Sequence, residues 1–104
     1  RAMGAMLFAD KITARQAADW GMIWEAVPDD LFAARWQARA QSLASGPTVA
    51  YRNLKAALRA SADNTLDEQL ALEAKLQGVA GASTDCQEGV AAFLEKRKPR
   101  FIGR

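Results

Sequence analysis

The sequence predicts a mostly α-helical chain with one short strand. Two observations lead there. Apolar residues recur at helical spacing along most of the chain, repeatedly behind N-capping signatures. Only Met22–Val27 offers β-favouring residues in a row, closed by Pro28.

The stretch Arg1–Phe8 reads as helix, yet it has no N-cap residue before it and no initiator methionine. The expectation is therefore that the chain is the C-terminal piece of a longer protein. Thr13-Ala14-Arg15-Gln16 has the spacing of a capping box, in which hydroxyl and amide each satisfy an orphan backbone donor. The helix it opens should run to Trp20 and stop at Gly21, a residue suited to the left-handed position after a helix. The strand Met22–Val27 follows and must pair with something outside this chain, since a lone strand is not stable.

Asp29 or Asp30 is expected to cap the next helix, with Phe32, Trp36, Ala40 and Leu43 on its apolar side. Ser45-Gly46-Pro47-Thr48 breaks that helix, and Pro47 suits the first turn of a new one reaching about Ser61. There Val49, Ala50, Leu54, Ala57 and Leu58 oppose Arg52, Lys55 and Arg59. Ala62-Asp63-Asn64 is the turn before a second capping box, Thr65-Leu66-Asp67-Glu68. The helix behind it carries two apolar stripes, Leu66/Leu70 and Leu72/Leu76/Val79, which predict two neighbours. Gly78 and Gly81 should loosen the chain. Thr84 with Gln87, or Asp85 with Glu88, is spaced to cap a last helix whose apolar side is Val90, Phe93 and Leu94, with Pro99 as its stop. The resulting core is thin.

Length and composition narrow the function classes. The chain has 104 residues, 50% of them hydrophobic and 25% charged, as in a single soluble globular unit. No apolar run reaches the roughly 18–20 residues of a membrane span, and no signal-peptide pattern opens the chain. A single cysteine, Cys86, points to a reducing, cytoplasmic setting. It lies in a helix's first turn with no base to use it and reads as inert. With no histidine, a Cys/His metal cluster cannot form, and no metal or redox cofactor is expected. The final ten residues carry a net +4 against +2 for the whole chain, so the body is net negative, a weak footprint for nucleic acid. Taken alone, Phe93 is either a core residue or a base-stacking ring. Lys96 is either a solvated helix-end cation or a phosphate contact, and Arg97, Lys98 and Arg100 read as solvating and dipole charges. Asp67, Glu68, Glu73 and Glu88 read as caps and solvated acids. Trp20 and Trp24 read as packing residues.

Two long stretches carry a resemblance. Arg1-Ala2-Met3-Gly4 with Lys11–Trp24, and Ser83-Thr84-Asp85-Cys86-Gln87-Glu88-Gly89-Val90-Ala91-Ala92-Phe93-Leu94-Glu95-Lys96-Arg97, resemble the crotonase superfamily of enoyl-CoA hydratases and isomerases. The likeness extends over essentially the whole chain. Trp20-Gly21-Met22-Ile23-Trp24, Asn64-Thr65-Leu66-Asp67, Gln69-Leu70 and Pro99–Arg104 are most similar to its ring-1,2-epoxyphenylacetyl-CoA isomerase branch.

The resemblance implies the C-terminal, oligomerising helical part of an α/β crotonase fold. Residues 1–28 would end the crotonase core, and 29–104 would form a helical trimerisation region. It implies an acyl-CoA substrate, an oxyanion hole of two backbone N–H groups and acidic proton carriers, all upstream of this chain, so no catalytic residue is expected here. No metal or redox cofactor is implied; coenzyme A enters as part of the substrate. Phe93 matches the aromatic packing near the adenine and Lys96 the lysine reaching the phosphates. Gln77 stands where some hydratases carry a second aromatic. The implied partners are the upstream half of the protein and like subunits in a homotrimer or hexamer, with no nucleic acid and no membrane. A stand-alone helical interaction module is the competing expectation; it requires a folded monomer from these residues alone.

Overall fold

The computed structural model describes all 104 residues. Six helices follow one another: α1 (Ala2–Phe8), α2 (Ala14–Asp19), α3 (Asp29–Ala44), α4 (Thr48–Ala60), α5 (Leu66–Gly81) and α6 (Thr84–Leu94). They fall into two compact units, Arg1–Ala38 and Arg39–Arg104, with the division inside α3.

In the first unit, α1 starts without a side-chain cap and ends on Ala9 in left-handed conformation. The first capping box forms as its spacing requires. Gln16 N–H donates to the Thr13 hydroxyl at 3.2 Å, and Thr13 N–H donates to the Gln16 side chain at 3.0 Å. Helix α2 closes at Gly21, whose φ of 76° fits the residue without a Cβ. There Gly21 N–H reaches Ala18 and Met22 N–H reaches Ala17, the paired bonds of a Schellman ending.

Those bonds correct the expected strand. Met22 and Ile23 N–H groups both turn back to the Ala17 carbonyl, and the segment continues as bends and coil with no strand. Intrinsic β preference had no neighbouring backbone to pair with, so the local helix ending prevailed. Trp24 is 87% exposed here rather than packed. Asp29 and Asp30 also differ from expectation: α3 begins at Asp29, so both lie inside its first turn, where their charge favours the helix N-terminal pole.

In the second unit, α4 packs on α5, and α5 touches α6. Polar bonds hold the first contact. Asn53, 7% exposed, donates its amide to the Leu76 carbonyl at 2.9 Å, and Gln69 donates to the Ala57 carbonyl at 3.3 Å. Pro47 lies one residue before α4, as its N-cap. The second capping box forms fully, with Thr65 N–H donating to Glu68 at 2.8 Å. Gly78 does not loosen the chain, since α5 continues through it, while Gly81 is the helix's last residue. Of its stripes, Leu72 and Leu76 are half-buried, whereas Leu66 and Leu70 remain exposed.

Ala92 is the one buried apolar side chain. Leu72 and Leu76 are only half-buried, and most of the other large apolar side chains stay exposed. No helix is long and apolar enough to cross a membrane.

Candidate functional site

Helix α6 and the tail behind it form one clasped unit. Ser83, rather than Thr84 or Asp85, caps α6, its hydroxyl accepting Cys86 N–H at 3.1 Å. That leaves Asp85 for another task. Its carboxylate, 1% exposed with the rest of the residue, accepts Ile102 N–H at 2.7 Å and Gly103 N–H at 2.9 Å. Asp85 N–H in turn donates to the Arg104 carbonyl at 3.0 Å. The chain end is thus bound along the first turn of α6.

One turn further on, Glu88 makes the second fastening. Arg97 donates from both terminal nitrogens to the two Glu88 oxygens, at 2.6 and 2.9 Å, and Arg100 N–H donates to Glu88 at 2.7 Å. Arg97 Nε also pairs with Glu95. These donors hold the Glu88 carboxyl down at about 2, the Arg97 guanidinium first and the Arg100 N–H second. The same pair raises the Arg97 pKa, chiefly through Glu88. Arg97 and Glu88 are therefore not merely solvated charges. A pair nine residues apart leaves no periodic mark in a sequence, and Asp85 in a helix's first turn looks like a cap.

The helix ends five residues before Pro99, at Leu94. The stop is Lys96, in left-handed conformation with φ 54°. Lys96 N–H donates to Phe93 at 3.2 Å and Arg97 N–H to Ala92 at 3.0 Å, a Schellman ending built on lysine where glycine is usual.

The expected binding residues lie at this end. Phe93 is 82% exposed, and Lys96 follows it by three positions on the surface. Phe93 borders an open groove of about 530 Å³ shared with Gln77, Ala80, Cys86, Val90 and Phe101. Gln77 and Phe93, on different helices, thus meet at one groove. The Phe101 ring lies against Gly89 and closes its tail side. Cys86 is free and exposed. No group of three or more Cys, Asp or Glu side chains could hold a metal.

The family model for enoyl-CoA hydratase/isomerase matches residues 1–104, and the chain belongs to that family. It is 58% identical over 104 residues to a Rhodobacter capsulatus protein named as a probable enoyl-CoA hydratase, covering all of this chain and 40% of that one. It is 46% identical over 104 residues to the 1,2-epoxyphenylacetyl-CoA isomerase of Escherichia coli K12, again covering 100% and 40%. Among solved structures, an enoyl-CoA hydratase subunit from Geobacillus kaustophilus superposes with a TM-score of 0.91 at 36% identity, over 100% of this chain and 40% of that one. The chain spans about 40% of the length of the curated relatives it matches. Its helices are those of the C-terminal part of the crotonase fold, as the sequence leads one to expect.

Proposed function

We propose that this chain supplies the coenzyme-A edge and the oligomer-forming helices of a cytoplasmic acyl-CoA hydratase/isomerase. Within that class, the protein isomerises ring-1,2-epoxyphenylacetyl-CoA to oxepin-CoA in phenylacetate catabolism, through an enolate-like state held in an oxyanion hole. The observation that carries the reading is an exposed phenyl, Phe93, at the rim of a groove, followed three residues on by the exposed Lys96, which forms no ion pair. A ring suits the adenine face and an ammonium suits phosphate. Phe93 stacks on the base and Lys96 meets the phosphates. The catalytic groups belong to the upstream part, and the reaction needs no metal or redox cofactor.

The uncovered apolar side chains support the remaining partners. Leu66 at 74% and Leu94 at 73% exposure are surfaces for the upstream half and for like subunits in a trimer or hexamer. The epoxide isomerase reading draws support from the Escherichia coli relative. The Rhodobacter capsulatus relative favours a second reading, hydration of ordinary enoyl-CoA esters. Assay of the full-length protein separates them. Turnover of ring-1,2-epoxyphenylacetyl-CoA well above that of crotonyl-CoA is expected. Efficient hydration of crotonyl-CoA with no epoxide turnover would overturn the isomerase reading.

A further inference from the structure

We propose that Glu88, acting through Arg97, is a positioning residue that fixes the direction of the Lys96 side chain; this rests on the reading of Lys96 as a phosphate contact. The backbone at Lys96 is the starting point. Its φ of 54° is a left-handed conformation that the Cβ of a lysine disfavours. The Schellman bonds at the helix end favour it, and contacts further along the chain add to them.

The neighbours of Lys96 supply that hold. Arg97 is gripped by both oxygens of Glu88, at 2.6 and 2.9 Å, and by Glu95 on its other side. Glu88 also takes Arg100 N–H at 2.7 Å, which fixes the chain at the third residue beyond the guanidinium it grips. Residues on both sides of Lys96 are therefore tied down, while Lys96 itself forms no ion pair.

The arrangement divides the charge. Arg97 is spent on two carboxylates, whereas Lys96, which holds the left-handed position beside it, forms no ion pair and stays open to an anion. Bidentate geometry makes the pairing directional, which a lysine at position 97 could not reproduce. Releasing Arg97 would let the turn relax from the left-handed form, and only the fraction still in that form would present Lys96 correctly. Apparent affinity falls by that fraction.

The test is a mutant cycle in the full-length enzyme, read as KM and kcat for its acyl-CoA substrate. Glu88→Gln, which keeps an acceptor for Arg100, should raise KM about fivefold with kcat within about twofold. Arg97→Gln, which leaves Glu88 in place, should do the same. Lys96→Ala should raise KM about tenfold, and Glu88→Gln added to it should produce no further rise. Multiplying effects in the double variant would overturn the positioning role, because Glu88 would then act independently of Lys96. A Glu88→Gln enzyme with unchanged KM, alongside a Lys96→Ala enzyme with raised KM, would also overturn it and leave the phosphate contact standing. An unchanged KM for Lys96→Ala would remove the contact and the positioning role with it.

Discussion

The carboxylate of Asp85 accepts the backbone N–H of Ile102 at 2.7 Å, joining the first turn of α6 to the chain's end seventeen positions later. With Gly103 as second donor, Asp85 has both oxygens occupied, which is how a carboxylate can lie 1% exposed without a cationic partner. The tail is thereby part of the fold rather than an appendage. Thr48, at the start of α4, also reaches the Gly103 carbonyl at 3.5 Å.

Replacing Asp85 by Ala leaves two backbone donors without their acceptor. Charge-assisted bonds of this kind contribute about 1.5–3 kcal/mol each, and a loss of about 2–4 kcal/mol is expected in chemical denaturation of the full-length protein. Hydrogen exchange should accelerate at Ile102 and Gly103 first. Unchanged protection at those two amides would contradict the clasp.

Glu88 gives the clasp a pH signature. Its folded pKa, about 2, lies below the ordinary value of 4.5. A depressed carboxylate stabilises above the unfolded pKa, and that contribution disappears as pH falls through the folded one. The difference in melting temperature between wild type and Glu88→Gln should hold steady at neutral pH, then shrink between about 4.5 and 2. In Arg97→Gln the Glu88 carboxyl should titrate closer to 4.5, as followed by its carboxyl carbon resonance. A midpoint still near 2 would show that Arg97 is not the main cause.

What could be read in advance follows from how far each interaction reaches along the chain. Thr13 with Gln16, and Thr65 with Glu68, are complete within four residues, and both boxes form. Gly21 ends α2 because its own φ demands little else. The strand at Met22–Val27 failed because β structure needs a second backbone. The cap of α6 was ambiguous because Ser83, Thr84 and Asp85 are all competent caps, and only the tail's demand on Asp85 selects Ser83. The Lys96 turn was hidden for a similar reason. Nothing in a lysine advertises positive φ, and the hold comes from Glu88 through a neighbour. The roles proposed for Phe93 and Lys96 rest on the family signature around them, since periodicity alone leaves both readings of each open.

Gly46 makes a sharp steric prediction. A Cβ there would collide with the Tyr51 hydroxyl and stand 2.6 Å from two ring atoms, so the whole ring must move. Gly46→Ala should cost about 1–3 kcal/mol in denaturant unfolding, as overpacking does. Because the clash is with Tyr51, combining it with Tyr51→Ala should cost less than the two changes summed. Additive losses would place the strain elsewhere.

The capping box of α5 should contribute in the ordinary range. Thr65→Ala is expected to lower stability by about 1 kcal/mol, measured by urea unfolding. The Thr65 N–H and hydroxyl also hold Glu68 below the usual carboxylate range, so that substitution should move the Glu68 titration upward.

Lys96 allows fold and contact to be separated in one substitution. Glycine adopts positive φ freely, so Lys96→Gly should stabilise the Schellman ending by about 0.5–1 kcal/mol relative to Lys96→Ala. It also removes the ammonium. The decisive measurement is therefore steady-state kinetics of the full-length Lys96→Gly enzyme beside its melting curve. A melting temperature above that of Lys96→Ala, a KM for acyl-CoA raised about tenfold and a nearly unchanged kcat are the expected outcome. A KM equal to wild type would show that Lys96 terminates a helix and does not contact coenzyme A.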